Sequence, residues 1–169
     1  DLSRVASVAS FFISRVDTEV DERLGDSNND LCGTAAIAQG RLAYANFLDA
    51  FSGPRWEALS ARGARVQRPL WASTGTKNPA FSDVLYVDEL IGPLTVNTVP
   101  EATLDAFLDH GTSTRTVDRD LDGTLAVLDR LSEARIDLGD VAEKLESEGL
   151  ASFQASFDEV IAALVEKAS

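Results

Sequence analysis

Three short stretches of the chain are rich in apolar and β-branched residues. Residues 5–13 read VASVASFFI, residues 67–72 read QRPLWA, and residues 94–97 read LTVN. Such runs are typical of strands that are covered on both faces of a sheet. The pattern therefore predicts three strands, separated from one another by longer stretches of different periodicity.

The stretches between and after these strands carry helical periodicity. A helix is predicted over residues 35–51 and a weaker, shorter one over residues 83–91. Two or three further helices are predicted beyond residue 120. The apolar stripes that support these helices are Ile37, Tyr44, Leu48 and Phe51, then Leu121, Leu125, Leu128 and Leu131, then Leu138, Val141 and Leu145, and finally Phe153, Phe157, Val160, Ile161 and Leu164.

One further helix carries start and stop signals. Thr98 and Glu101 stand at capping-box spacing, and Pro100 would lie in the first turn. The helix is predicted to run to about His110, where Gly111 ends it.

Alternation of short strands with longer helices predicts βαβ units in a parallel sheet. Three parallel strands make a poor complete fold because both sheet edges stay open. Three such strands with their helices fit well as part of a barrel. The predicted fold class is therefore α/β, a partial (β/α)8 TIM barrel with helices on one side of the strands. The chain has no methionine and opens on Asp1, so we expect residues 1–169 to be one part of a single, longer barrel domain.

Charge and composition narrow the possible partners. The 28 acidic residues outnumber the 15 basic ones, giving a net charge of −13. A field of this sign repels nucleic acid and anionic membranes, so neither is an expected partner. No run approaches the length of a membrane span, and residues 1–169 contain no basic-then-apolar pattern of a signal segment. Cys32 is the only cysteine, which rules out an internal disulfide and suits the cytoplasm.

Candidate chemistry is selected by position, since active sites of (β/α)8 barrels use the carboxyl ends of strands and the loops after them. Arg15 follows the first strand, and Ser73 and Lys77 follow the second. Arg15 and Lys77 are the positive charges in such places, and an acidic protein that binds a phosphate needs a local cationic site. An ordinary surface role for either cation is the alternative that spacing leaves open.

Three segments resemble transaldolases, most closely the larger actinobacterial type. Residues 5–21 (VASVASFFISRVDTEVD) are similar to the sixth-strand motif of that family, and residues 68–79 (RPLWASTGTKNP) to its seventh strand and loop. Residues 85–105 (LYVDELIGPLTVNTVPEATLD) are similar to the eighth strand and its helix. The resemblance covers nearly the whole chain and implies that it is the C-terminal half of such an enzyme.

The resemblance implies transfer of a three-carbon dihydroxyacetone unit between ketose and aldose phosphates, as in the pentose phosphate pathway. It implies no metal and no organic cofactor, because a protein lysine forms the Schiff base. In the family that lysine lies on the fourth strand and an acidic pair on the first and third. No catalytic residue is therefore expected in this chain, and the N-terminal half of the barrel is an expected partner.

Site residues carry over from the family position by position. Ser10 would contact the substrate, Phe12 would line the site, and Arg15 would hold the phosphate. Ser73 matches the seventh strand. Many relatives place an arginine close behind that serine, whereas this chain has Lys77 four residues later, which would substitute as the phosphate cation.

Other residues receive simpler interpretations. Lys77 could itself be the Schiff-base lysine, but a polar, glycine-containing loop argues for exposure, not the burial such a lysine needs. His110 is interpreted as a cation at a helix end and Trp71 as a core residue. The acidic run of residues 17–22 is interpreted as a solvated helix start, in which Asp17 alone lies near a strand end.

Two other functional classes remain open at this point. The chain could be a fragment without a catalytic role or a subunit that only completes a barrel, and an acidic helical interaction module is a third possibility. Sugar phosphates are the expected ligands, and a homo-oligomer is possible.

We predict that this chain by itself is molten, aggregated, or paired edge to edge with a partner or a second copy. A partial barrel leaves strand edges unpaired and its inward-facing side chains without the neighbours that fill a barrel. Light scattering and hydrogen exchange on the isolated chain test this. A monomer that unfolds cooperatively, with ordinary protection in all three strands, would contradict the partial-barrel interpretation.

Overall fold

A computed structural model describes residues 1–25 and 30–168. A 3-10 turn at Leu2–Arg4 precedes the first strand. The strands are β1 (Ser7–Phe12), β2 (Gln67–Ala72) and β3 (Val96–Asn97); the helices are α1 (Ser14–Leu24), α2 (Ala35–Ala50), α3 (Gly53–Ser60), α4 (Leu85–Glu89), α5 (Glu101–His110), α6 (Leu121–Glu133) and α7 (Leu138–Ala168). The chain divides into two compact units, one of residues 1–136 and one that begins at Asp137 and contains α7.

The sheet is parallel throughout, as predicted, with the order β1-β2-β3. β1 and β2 pair over their full length, from Ser7 opposite Gln67 to Phe12 opposite Ala72. β3 adds two pairs, with Val96 opposite Leu70 and Asn97 opposite Trp71. The carboxyl ends of the three strands therefore lie at one edge, called the rim below.

The predicted strands were too long at two places. Leu94 has a positive φ of 62°, and Thr95 donates from its amide and its hydroxyl to the Gly92 carbonyl. Residues 94 and 95 therefore form a turn, and the third strand is only Val96–Asn97. At the start of the chain the Val5 amide donates to the Leu2 carbonyl, so β1 begins at Ser7.

The two faces of the sheet differ in what covers them. Trp71 is 1% exposed, packs against Phe11 at 5.8 Å between ring centroids, and donates from Nε1 to the Leu90 carbonyl at 3.0 Å. On the other face Val8 and Phe12 are 41% and 43% exposed. Helices thus cover one side of the strands, and the prediction that Trp71 is a core residue is confirmed.

Several helices differ in detail from the periodicity. α2 buries Ala36, Gly40, Tyr44 and Phe47, whereas the predicted stripe residue Leu48 is 46% exposed. The buried face combines small residues with Tyr44, whose position on the stripe was predicted, and with Phe47. At Gly40 the Leu90 side chain lies 3.0 Å from where a Cβ would stand, so a small residue is required there. In α6 the buried positions are Thr124 and Leu131, and the predicted stripe residues Leu121 and Leu125 are exposed.

Helix ends also depart from the prediction. α5 spans the predicted residues, but its N-cap is Pro100 and no side chain caps it. Thr98 instead donates its amide to the Trp71 carbonyl at 3.1 Å, which continues the β2–β3 ladder. The capping box is therefore absent. α3, with Pro54 in its first turn, was not predicted, and the last two predicted stripes belong to one helix, α7.

None of the helices within residues 1–25 and 30–168 combines the length and apolar character needed to cross a bilayer.

Candidate functional site at the strand rim

The β1–β2 ladder continues beyond the ends of both strands. The Ile13 amide donates to the Ala72 carbonyl at 2.9 Å, and the Ser14 amide donates to the Ser73 carbonyl at 3.0 Å. Ser73 has a φ of 57°, a left-handed conformation that costs free energy for a residue with a Cβ. These two bonds fix the first residue of α1 against the residue that follows β2.

Ser10 and Phe12 lie on the open face of the sheet, because side chains alternate along β1 and Phe11 faces the helices. The Arg15 guanidinium lies 4.8 Å from the centroid of the Phe12 ring, a cation–π contact. Arg15 is exposed. It forms no ion pair with any residue in the described part of the chain. The structure therefore places Phe12 and Arg15 in contact where β1 ends, with Ser73 at the adjoining end of β2 and Ser10 two residues earlier on the same face as Phe12.

Lys77 occupies a neighbouring position on the rim, in the segment between β2 and α4. Its side chain is exposed, as predicted. Together with Thr18 it lines a cleft of about 260 Å³, called the Asp17 cleft below. Thr18 stands three residues after Arg15 in α1, so both project from the same side of that helix. The other lining residues are Asp17, Asp21, Asn78, Phe81 and Tyr86.

The acidic run of α1 is buried in part, so its interpretation as a solvated helix start was wrong. Asp17 is 1% and Glu19 7% exposed. Glu19 is paired with Arg23 at 2.7 Å. Asp17 has a different role, because its Oδ1 accepts the Ala36 amide of α2 at 2.7 Å.

Asp17 supplies the cap that α2 lacks in its own sequence, and Asp21 holds the residue just before the N-cap. Thr34 occupies the N-cap but makes no capping bond, since its hydroxyl donates to the Leu31 carbonyl at 2.6 Å. Asp21 Oδ1 accepts the Gly33 amide at 3.0 Å. Carboxylates at helix amino ends satisfy free amides and interact favourably with the helix dipole. α1 is thereby attached to the start of α2.

Burial raises the pKa of Asp17 to about 6, while the Ala36 amide and the Tyr86 hydroxyl lower it and Asp21 adds to the rise. Asp17 Oδ2 is buried. Burial likewise raises the pKa of Asp21, against the Gly33 amide. A buried carboxylate with a raised pKa lowers the free energy of unfolding at neutral pH. Groups with such shifted pKa values are common at functional sites. The sequence signal that could have revealed it is the i, i+4 spacing of the two aspartates after a strand end.

The remaining candidate residues have structural partners. His110 ends α5, and hydrogen bonds to Asp83 and Asp109 raise its pKa. Burial raises the pKa of the Cys32 thiol, with Asp21 and Asp17 adding to the effect. Thr74 is fully buried and donates its hydroxyl to Asn97 Oδ1 at 2.8 Å. Across residues 1–25 and 30–168, no three His, Cys, Asp or Glu side chains are grouped as a metal site.

Comparison with known proteins identifies the family of the chain that carries this rim. Residues 2–164 match the Transaldolase/Fructose-6-phosphate aldolase family. A protein named "Transaldolase" from Acidothermus cellulolyticus is 52% identical over 168 residues, which cover 97% of this chain and 45% of that relative. Proteins of the same name from Thermobifida fusca and Mycobacterium tuberculosis are 52% and 51% identical over 166 residues, which cover 95% of this chain and 45% and 44% of those relatives.

These matches identify the family of this parallel α/β unit. The chain belongs to the Transaldolase/Fructose-6-phosphate aldolase family. It spans a little under half the length of the curated relatives it matches. The family resemblance of the three motif segments is confirmed.

Asp17→Asn should stabilise the fold at neutral pH and have little effect in acid. The pKa of Asp17 is raised from 3.8 to about 6. Below about pH 4 the Asp17 carboxyl is protonated in both the folded and the unfolded state and does not oppose folding. As pH rises through about 6, ionisation of this buried group lowers the free energy of unfolding of the wild type by up to roughly 3 kcal/mol. Asn stays neutral and keeps an acceptor for the Ala36 amide. Urea unfolding at pH 4 and pH 8, in a protein of the relatives' full length that carries this chain, measures the difference.

The matched control is Glu57→Gln, which removes one negative charge from an exposed position on α3. It should change stability by no more than a few tenths of a kcal/mol at either pH. An equal gain for Asp17→Asn at pH 4 and pH 8 would contradict the buried-carboxylate explanation.

Proposed function

We propose that this chain is the part of a transaldolase that binds the phosphate of its substrates. The single observation that carries the proposal is Arg15, which has no ion-pair partner among the described residues and lies over Phe12 where β1 ends, next to the backbone bond between Ser14 and Ser73. The three parallel strands would be the sixth, seventh and eighth of a (β/α)8 barrel. The reaction would transfer a dihydroxyacetone unit from a ketose phosphate such as sedoheptulose 7-phosphate to an aldose phosphate such as glyceraldehyde 3-phosphate.

Each rim residue has a distinct role in this proposal. Arg15 donates paired hydrogen bonds to phosphate oxygens, for which its planar fork is suited. Phe12 fixes the guanidinium from below through the cation–π contact. Ser10, on the same exposed face, donates or accepts a hydrogen bond to the sugar, and Ser73 does so from the second strand. Lys77 adds a second, mobile positive charge near the same point.

The Schiff base would form on a lysine outside this chain. Such a nucleophile requires a pKa lowered by burial or by neighbouring cations. Lys77 and Lys144 are both at the surface, and the third lysine, Lys167, lies in the last turn of α7. Ketose binding, imine formation and carbon–carbon cleavage would take place above the open sheet face, in a site completed by the N-terminal half of the barrel. A cytoplasmic location and a place in the pentose phosphate pathway belong to the same proposal.

Borohydride reduction in the presence of fructose 6-phosphate tests the assignment. A protein of the relatives' full length that carries this chain should acquire one covalent sugar adduct, because borohydride reduces the Schiff base to a stable amine. Mass spectrometry should locate the adduct outside residues 1–169. Absence of any adduct would favour a non-catalytic, barrel-completing role, and an adduct on Lys77 would show that the lysine was misassigned.

Arg15→Ala should raise KM for phosphorylated substrates by roughly 10- to 100-fold, because it removes charge-assisted hydrogen bonds made in both the ground state and the transition state. The value of kcat should change much less. Steady-state kinetics with fructose 6-phosphate measure both quantities.

The control for that measurement is Arg65→Ala, an exposed arginine at the opposite end of the strands. It removes the same charge from the acidic protein without touching the rim, so KM should stay within about two-fold of the wild-type value. An unchanged KM for Arg15→Ala would rule out Arg15 as the phosphate ligand.

A further inference from the structure

Arg68 is the only charged residue in the three strands. Side chains alternate along β2, and Pro69 and Trp71 are buried on the side that the helices cover. Arg68 therefore lies on the open face of the sheet, opposite Val8 of β1 in the register. Its side chain is exposed in this chain.

The immediate surroundings of Arg68 are apolar. Val8 is itself 41% exposed, and Leu70 is the next residue of β2 on the same face. The Arg68 side chain takes part in no ion pair and no side-chain hydrogen bond with any residue of 1–25 or 30–168. Four strand positions, about 13 Å at the usual rise per residue, separate it from the rim. It therefore lies outside both the proposed phosphate site and the Asp17 cleft.

An arginine of this kind is ordinary on a surface and costly in an interior. In the proposed function the open face becomes part of a barrel interior once the rest of the relatives' length is present. A guanidinium does not give up its proton when it is buried. Its charge must then be paired and hydrogen-bonded, or the fold loses stability.

A second copy of this chain is a poor occupant of the open face. A symmetric face-to-face contact would bury two Arg68 side chains and no carboxylate from either set of strands. Like charges in a desolvated interface oppose such a contact. The face therefore fits a partner that carries a negative charge opposite Arg68.

We propose that the open face docks against the N-terminal half of the full-length protein, and that a strand of that half contributes an aspartate or glutamate that pairs with Arg68 at the amino end of the sheet. The inference rests on the proposed function, in which the three strands belong to a barrel. The carboxylate accepts two hydrogen bonds from the planar guanidinium, a geometry that offsets desolvation of both charges.

Urea unfolding of the full-length protein tests the pair. Arg68→Met removes the charge, keeps most of the stem and leaves the carboxylate buried without its partner. The urea midpoint should fall by about 1 M at pH 8. The fall should be less than half as large at pH 5, because a buried, unpaired carboxyl group has a raised pKa and takes up a proton as pH decreases. Arg68→Lys keeps the charge and should lose much less at pH 8.

The matched control is Arg65→Met, at an exposed position just before β2. It should move the midpoint by no more than about 0.2 M at either pH. A fall for Arg68→Met no larger than that of the control at pH 8 would refute the pairing, because Arg68 would then reach solvent. An equal fall at pH 5 and pH 8 would refute it as well.

A second-site selection identifies the partner even where Arg68→Met does not fold. Substitutions that restore soluble Arg68→Met protein should include a change of aspartate to asparagine, or of glutamate to glutamine, at one position outside residues 1–169. Replacing both members of a buried ion pair by neutral groups costs far less than removing one of them. Restoring substitutions that include no acidic residue outside 1–169 would overturn the proposal.

These measurements separate failure of this inference from failure of the proposed function, because none of them depends on activity. If the full-length protein forms no Schiff base with fructose 6-phosphate but shows the pH-dependent loss, the pair stands and the reaction is wrong. If it forms the Schiff base and Arg68→Met behaves like the control, the reaction stands and the pair is wrong. A fall in midpoint that varies with protein concentration would place a second copy on the open face and would also overturn the proposal.

Discussion

The parallel hydrogen-bond ladder between β1 and β2 determines the position of everything at the rim. It runs over six residue pairs and continues through the Ile13 and Ser14 amides after the strands have ended. Because Ser14 is the first residue of α1, the helix begins without a flexible connector. The position of Arg15 relative to Ser73 is therefore set by backbone bonds, and side-chain packing only adjusts it.

Attachment of α1 to α2 through carboxylates is the second constraint on the site. A helix usually obtains its cap from the residue at its own N-cap, but here the Ala36 amide is capped by Asp17, 19 positions earlier in the sequence. This arrangement joins α1 to the start of α2 by a hydrogen bond that lies among buried apolar residues such as Val20 and Ala35. The same carboxylate that provides the attachment is desolvated, so part of the stability gained from the bond is offset by burial of the charge.

The sequence predicted the elements whose signals are local. The strand at 67–72 and the extent of α5 follow from apolar periodicity and Gly or Pro punctuation, and the predicted stripe of residues 121–131 lies within α6. The prediction was wrong where a contact distant in sequence overrides the local pattern. Thr98 bonds to β2 instead of capping α5, and Leu90 packs on Gly40, a position of α2 outside the predicted stripe.

The site residues divide in the same way, into those with a local sequence signal and those that depend on a contact distant in sequence. Placement at strand ends selected Arg15, Ser73 and Lys77, and family resemblance added Ser10 and Phe12, all of which lie at or beside the rim. Burial of Asp17 was not predicted, because an acidic residue in the first turn of a helix is ordinarily solvated and favourable. Only the tertiary approach of the α2 amino end makes it a buried group.

The left-handed backbone of Ser73 has a consequence for how variation at this position should be interpreted. Glycine, asparagine and aspartate tolerate such a φ, whereas β-branched residues do not. Homologues that lack a hydroxyl here would still be restricted to the residues that fit this geometry. Frequent glycine or asparagine at position 73 would therefore reflect backbone shape, and only a preference for serine above those residues would reflect substrate chemistry.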